Sequence, residues 1–117
     1  MARLSTHVLD LANGHPAGGL RIELLSVKGD LRELVSKDVT NIDGRTTEPL
    51  LAGDAIPTGV FELVFHVAEY LHLQGHPLSE PPFLDEVVIR FGIGDATGNY
   101  HIPLLLSPYG YSTYRGS

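Results

Sequence analysis

The sequence predicts an all-β fold, in which about eight strands of antiparallel type and one short helix form a sandwich or a barrel. Two observations lead to this prediction. Segments of alternating apolar and polar residues recur along the chain, and glycine, proline and asparagine separate them. A helical composition occurs in one short stretch, near residues 68–74, so the pattern is not that of alternating helices and strands. At 117 residues the chain is long enough for a single domain, residues 1–117, and too short for two.

Eight segments have the composition of strands. They lie near residues 4–10, 19–27, 31–37, 45–50, 58–67, 86–94, 99–107 and 110–115. In the first, Ser5, His7 and Leu9 share the face opposite Leu4, Thr6 and Val8. The alternation is clearest in the fifth and sixth, whose apolar faces are predicted to supply the core: Phe61, Leu63, Phe65, Val67, Val87, Ile89, Phe91 and Ile93.

The predicted connections contain residues that tolerate positive φ or interrupt pairing. They include Asn13-Gly14, Gly29-Asp30, Asp43-Gly44 and Thr97-Gly98-Asn99, together with Pro57 and Pro81-Pro82. The helix predicted at residues 68–74 ends at Gly75, as helices commonly do.

Composition excludes several classes of function. Lys and Arg number eight and the net charge is −6, so we expect no nucleic-acid partner. The absence of cysteine removes thiolate nucleophiles, disulfides and cysteine metal sites. No apolar run approaches the roughly 20 residues that span a bilayer, and the first residues lack a signal-peptide core. We therefore expect a soluble, cytoplasmic protein that binds no membrane.

Two histidines in predicted strands, His7 and His101, are candidates for proton transfer. The unperturbed pKa of histidine, about 6.5, suits an acid or a base near neutral pH. Each residue taken alone also fits a histidine that is merely hydrogen-bonded to a backbone carbonyl. Arg45 follows the turn at residues 41–44, which would fix the direction of a guanidinium able to bind an oxyanion or a flat carbonyl ligand. A solvated surface arginine is the alternative.

Other chemical motifs have little support. His72 and His76 have the four-residue spacing of a helical zinc site, but Gly75 is predicted to end the helix between them, so we favour no metal site. The segment Gly92-Ile93-Gly94 lacks the third glycine and the helix of a nucleotide-binding loop, and no Gly-x-Ser-x-Gly elbow occurs.

Four segments together resemble one family, the transthyretin-like 5-hydroxyisourate hydrolases of purine catabolism. They are Leu4–Asp10, Thr40–Arg45, Tyr100–Pro108 and the stretch leading into Tyr114-Arg115-Gly116-Ser117. The terminal tetrapeptide is the most specific, because that family ends on it whereas the hormone-carrying transthyretins do not. The resemblance implies a transthyretin-like two-sheet sandwich of eight strands with one short helix, assembled as a homotetramer around a central channel.

The resemblance also implies an active site where two dimers meet, lined by His7, Arg45, His101 and the terminal tetrapeptide. The implied reaction opens a ring amide of 5-hydroxyisourate with water, giving 2-oxo-4-hydroxy-4-carboxy-5-ureidoimidazoline in the degradation of urate to allantoin. His7 and His101 would position and deprotonate the water, and which of them is the base stays open. Arg45 would bind the carbonyl and its developing charge.

The terminal residues are expected to close the pocket. Tyr114, Arg115 and Gly116 would contact substrate, with Arg115 either a second donor or an anchor for the tail. Ser117 would offer its hydroxyl and carboxylate to the substrate or to a histidine. The scheme requires no metal and no organic cofactor.

Two other functions fit the same sequence. A transthyretin-type binding protein could carry a small aromatic ligand without catalysis, although this gives no reason for the two histidines, the arginine and the tetrapeptide. An interaction domain could pair with partners through its sheet edges.

Overall fold

The computed structural model describes residues 1–116 and consists of two packed sheets and one short helix, as the family resemblance implies. The strands are β1 (Ala2–Asp10), β2 (His15–Pro16), β3 (Arg21–Lys28), β4 (Leu31–Val39), β5 (Leu51–Gly53), β6 (Gly59–Phe65), β7 (Val87–Ile93), β8 (Asn99–Ser107) and β9 (Gly110–Thr113). The helix, α1, spans Val67–Leu73. Within residues 1–116, no helix has the length and apolar character needed to cross a membrane.

The first sheet has the order β2-β1-β8-β9, with β5 also paired to β1, and the second has the order β4-β3-β6-β7. β1 and β8 run parallel and the other strand pairs run antiparallel. On the side away from β8, β1 has three successive neighbours: β5 near its start, Arg45 at His7, and β2 at its end. Together with β8, these neighbours pair both edges of the strand that contains His7.

The strand predicted at residues 45–50 is wrong. Arg45 joins the sheet only through an isolated bridge to His7, and the next strand is Leu51–Gly53. Between them the Thr46 hydroxyl donates to the carbonyl of Glu48, which turns the chain, and Pro49 has no amide hydrogen to give to a ladder. The two-residue strand β2 was not predicted, because a pair of residues has too little alternation to be recognised.

The predicted core faces are buried. Phe61, Leu63 and Phe65 are at most 4% exposed, and Val87 and Ile93 at most 2%. Ile89 and Phe91 are partly buried and pack against the same core. Val67 is buried too, but from the first turn of α1 rather than from β6, because β6 ends at Phe65.

Two buried polar contacts fix β1 in place. The Thr6 hydroxyl donates to the carbonyl of Ile102 on β8 at 2.7 Å. At the end of β1, the Asp10 carboxylate, 1% exposed, accepts hydrogen bonds from the Tyr70 hydroxyl at 2.6 Å and from Asn13. β1 is thereby tied to its parallel neighbour and to α1.

Candidate active site

The parallel pairing of β1 with β8 brings the two candidate histidines onto one surface. Its register places Ser5 opposite His101 and His7 opposite Pro103. Because side chains alternate along a strand, these residues share the sheet face that points away from the core. Both histidines are half-buried there.

The turn before Arg45 is held by the side chain of Asn41. Its amide oxygen accepts from the backbone N–H groups of Asp43, at 2.9 Å, and of Arg45, at 3.2 Å. The Asn41 N–H donates back to the carbonyl of Arg45 at 2.8 Å. This closed loop fixes the backbone of Arg45 beside β1, where it forms the bridge with His7.

Gly44 makes that turn possible. Its φ is +77°, in the left-handed region, and its carbonyl accepts from the Val8 N–H of β1 at 2.8 Å. A Cβ at this position would collide with the carbonyl oxygen of Val8 and would lie 3.1 Å from the Cβ of Pro16. Glycine therefore lets the turn approach β1 closely enough to put Arg45 beside His7.

On the other side, Gly116 lies directly against His101. Its N–H donates to the carbonyl of His101 at 2.7 Å, and the two residues form an isolated antiparallel bridge. A Cβ on Gly116 would lie 2.8 Å from Cδ2 of the imidazole. The absence of a side chain is thus what allows the ring and the terminal segment to be in contact.

Ser5 contacts the other edge of the same ring. Its hydroxyl lies 2.9 Å from Nδ1 of His101. The imidazole is therefore held between a hydroxyl on β1 and the main chain at Gly116.

A polar cavity of about 270 Å³ lies beside these groups. Arg3, Ser5, Arg45, Asn99, Tyr100 and His101 line it. His7 is not among the lining residues, but it adjoins the cavity through Arg45. The cavity therefore combines an imidazole with two guanidinium groups.

The pKa values of both histidines are lowered. For His7 the main cause is burial, followed by the charge of Arg45, while the carbonyl of Asp43 opposes the shift. For His101, burial is again the main cause, followed by the charges of Arg45, His7 and Arg3. Both imidazoles are consequently neutral near pH 7 and able to accept a proton.

Arg115 and Tyr114 do not line this cavity, although Arg115 contacts two residues that do, Asn99 and Tyr100. The Arg115 guanidinium stacks 4.1 Å above the ring of Tyr100, and its Nη2 donates to the carbonyl of Asn99 at 3.3 Å. Arg115 also lowers the pKa of Asp95, after the larger effect of hydrogen bonds from Thr97. Arg115 and Tyr114 border a second cavity, of about 460 Å³, with apolar neighbours such as Ile89 and Phe91.

The structure thus brings together four of the predicted residues: His7, Arg45, His101 and Gly116. Tyr114 and Arg115 are not among the residues that line the polar cavity, and Ser117 lies outside the described residues. The second cavity is the larger, but it contains neither the histidines nor Arg45. We place the candidate site at the polar cavity because the titratable groups are there.

Four lining residues were not predicted as functional: Arg3, Ser5, Asn99 and Tyr100. For Arg3 and Ser5 a signal existed, because they share the period-two face of His7 in β1. Asn99, at the start of β8, had no comparable signal.

His72 and His76, which have the spacing of a helical zinc pair, lie in different surroundings. His72 is exposed on α1, and the ring of His76 contacts the side chain of Asn13. No group of three or more potential metal-binding side chains occurs within residues 1–116.

Comparison with protein families matches residues 4–116 to the HIUase/Transthyretin family. The chain is 56% identical, over 98% of its length and 96% of the relative, to 5-hydroxyisourate hydrolase 2 of Rhizobium meliloti. It is 53% identical, over 100% of its length and 93% of the relative, to the 5-hydroxyisourate hydrolase of Pseudomonas aeruginosa.

Solved structures are similar along the whole chain. A crystal structure of (S)-allantoin synthase has a TM-score of 0.91 at 43% identity, covering 99% of this chain but 44% of that one. The 5-hydroxyisourate hydrolase of Klebsiella pneumoniae has a TM-score of 0.81 at 34% identity and full coverage of both chains. Sea bream transthyretin in complex with thyroxine has a TM-score of 0.86 at 25% identity, covering 97% of this chain and 94% of that one.

Proposed function

This chain belongs to the HIUase/transthyretin family, and from that premise we propose that it hydrolyses a ring amide of 5-hydroxyisourate. The product is 2-oxo-4-hydroxy-4-carboxy-5-ureidoimidazoline. The observation that carries the proposal is the meeting of His7, Arg45 and His101 on one sheet face beside a polar cavity. Amide hydrolysis requires a base for water, a cation for the oxyanion and an acid for the leaving nitrogen, and these three residues can fill those roles.

The lowered pKa values support the histidines as the proton carriers. A neutral imidazole accepts a proton from the attacking water, and general base catalysis of this kind contributes about 10²- to 10⁴-fold. Burial, followed by the charges of Arg45 and His7, lowers the pKa of His101 and keeps it neutral. The same effects make its imidazolium a stronger acid once it has taken up a proton. The proton is therefore readily passed on to the departing ring nitrogen.

Arg45 is the proposed binding group for the carbonyl oxygen. Its backbone is fixed by the Asn41 turn before substrate arrives, so little reorganisation is needed when negative charge develops on that oxygen. Preorganised donors of this type contribute about 3 kcal/mol to transition-state stabilisation. Loss of Arg45 should therefore weaken both binding and turnover.

For the terminal segment, we propose that Gly116 shapes the pocket and that Arg115 acts as an anchor. The contacts of Arg115 with Tyr100 and Asn99 support the anchor, which was one of the two roles considered for it. Substrate contacts by Tyr114 and Arg115, and a catalytic role for Ser117, stay predictions.

We further propose a cytoplasmic homotetramer in which the outer face of the first sheet meets a second subunit. The site lies on that face, and the cavity lining comes from β1, β8 and the segment around Arg45. A neighbouring subunit could supply the opposite wall and exclude water. Sedimentation equilibrium over a range of concentrations would test the assembly, and a monomer at the concentrations used for turnover would contradict it.

The test of function is the ultraviolet decay of 5-hydroxyisourate formed in the cuvette from urate by urate oxidase. Wild type should accelerate the decay, whereas His101→Asn and Arg45→Gln should be close to the spontaneous rate. His72→Asn is the matched control, because His72 is an exposed histidine on α1. No acceleration by folded wild type would refute the hydrolase and favour a non-catalytic carrier of a small ligand.

A further inference from the structure

Ser5 is the one side chain whose hydroxyl makes a direct hydrogen bond to an imidazole of the site within the described chain. Its hydroxyl lies 2.9 Å from Nδ1 of His101 across the parallel β1–β8 pair, in register and half-buried. A hydroxyl can donate to a bare nitrogen or accept from an N–H, so the contact is compatible with either neutral tautomer.

The proposed role of His101 as the base decides between the tautomers. A base needs a free lone pair, and the Ser5 hydroxyl occupies Nδ1. Nε2 is therefore the nitrogen left for the attacking water, which places the ring proton on Nδ1, where the Ser5 hydroxyl accepts it.

We propose that Ser5 is a positioning residue that holds neutral His101 with its proton on Nδ1 and leaves the lone pair of Nε2 for the attacking water. The inference rests on the proposed hydrolysis and specifies how its base is prepared. Gly116 lies against the Cδ2 edge of the ring, on the side opposite Nδ1. The two contacts together prevent the ring from turning over.

The proton path then balances. Water adds its oxygen to the amide carbon and gives one proton to Nε2, while the other ring proton stays on Nδ1, hydrogen-bonded to the Ser5 hydroxyl. When the carbon–nitrogen bond breaks, the proton on Nε2 moves to the departing nitrogen and neutral His101 is restored. Ser5 itself neither gains nor loses a proton in this cycle.

The direct test is nitrogen-15 NMR of the histidine rings above pH 7, with His101→Asn used to assign the His101 signals. In wild type, Nδ1 of His101 should carry the proton. In Ser5→Ala the protonated fraction at Nδ1 should fall, and in Ser5→Thr it should be retained, because the hydroxyl is kept. Protonation at Nε2 in wild type, or a Ser5→Ala spectrum identical to wild type, would overturn the proposal.

Kinetics supply an independent readout. Ser5→Ala should lower kcat at least about tenfold with little change in KM, because tautomer control acts on the chemical step. Ser5→Thr should recover most of the loss, and Ser112→Ala, an exposed serine on β9, should leave kcat unchanged. Undiminished kcat in Ser5→Ala would overturn the proposed role of Ser5 but would not count against the hydrolase function.

The two tests separate this inference from the proposed function. If wild type fails to hydrolyse 5-hydroxyisourate, the function falls, whereas the NMR experiment still reports on the tautomer. If Ser5→Ala does not fold, the wild-type tautomer and the Ser5→Thr variant still decide the question.

Discussion

Replacing Gly116 with alanine tests whether the terminal segment sets the position of His101. The new Cβ would lie 2.8 Å from Cδ2 of the imidazole, and also 3.4 Å from Cβ and Cγ of His101. Distances under 3.0 Å are essentially never found for real Cβ atoms, so either the ring or the terminal segment must move. The ring has the hydroxyl of Ser5 at its other edge and cannot retreat without weakening that contact.

The size of the movement gives the expected effect. Ordinary contact begins at 3.4 Å, so the pair must separate by about 0.6 Å relative to the present geometry. A misplacement of about 1 Å can cost roughly 10²-fold in rate. We therefore expect kcat to fall by about 10- to 100-fold, or ~1.4 to 2.7 kcal/mol of activation free energy.

The assay is the decay of 5-hydroxyisourate, measured with the melting temperature of each variant. Gly110→Ala is the matched control on β9, because its Cβ would have its nearest contact at 3.7 Å from the Ser107 hydroxyl. Gly116→Ala should lose turnover while its melting temperature stays near that of wild type. Wild-type kcat in Gly116→Ala, or an equal loss in Gly110→Ala, would refute the reasoning.

Three further variants test the charges and contacts around the site. Arg3→Gln removes one of the charges that lower the pKa of His101, so the loss of kcat/KM on acidification should begin at higher pH; a pH–rate profile checks this. Tyr70→Phe removes a hydrogen bond to buried Asp10 and should lower the free energy of unfolding in urea by about 1.5 to 3 kcal/mol near neutral pH. Because the hydrogen bonds to Asp10 outweigh its burial and lower its pKa, this contribution is present above the unfolded pKa of about 3.9 and is lost as pH falls through the folded value. Gly44→Ala should cost more than about 1 kcal/mol of stability and also lower turnover, since it combines a left-handed φ with a collision against β1.

Each of these variants has a control. Arg21→Gln changes an arginine that pairs with Glu69 elsewhere on the surface, and it should leave the pH profile in place. Tyr111→Phe changes an exposed tyrosine, and its stability should match wild type. Gly14→Ala has φ +75° with no atom within 4 Å of the new Cβ, so it isolates the backbone strain. An unshifted pH–rate profile in Arg3→Gln would contradict the first prediction, and an undiminished free energy of unfolding in Tyr70→Phe would contradict the second. Equal losses in Gly44→Ala and Gly14→Ala would contradict the third.

Local sequence was sufficient where the side chains themselves decide the outcome. In β1, alternation correctly put Leu4, Thr6 and Val8 on the face opposite His7, and the structure buries that face. The helix near residues 68–74 and the buried faces of β6 and β7 followed from the same reasoning. The alternation of apolar and polar residues did not predict strands correctly where the chain is short or irregular. The strand predicted at residues 45–50 is the example.

The sequence by itself determined the all-β class, the faces of the longer strands and, through its resemblance to a family, the residues to consider. Only the tertiary structure decided that β1 lies parallel to β8, which brings Ser5 to His101 across 96 positions of sequence. It also decided that Arg115 stacks on the ring of Tyr100 while Gly116 pairs with His101. The physical reason is that alternation fixes which face a residue occupies, whereas the partner and register of a strand depend on distant strands packing over one core.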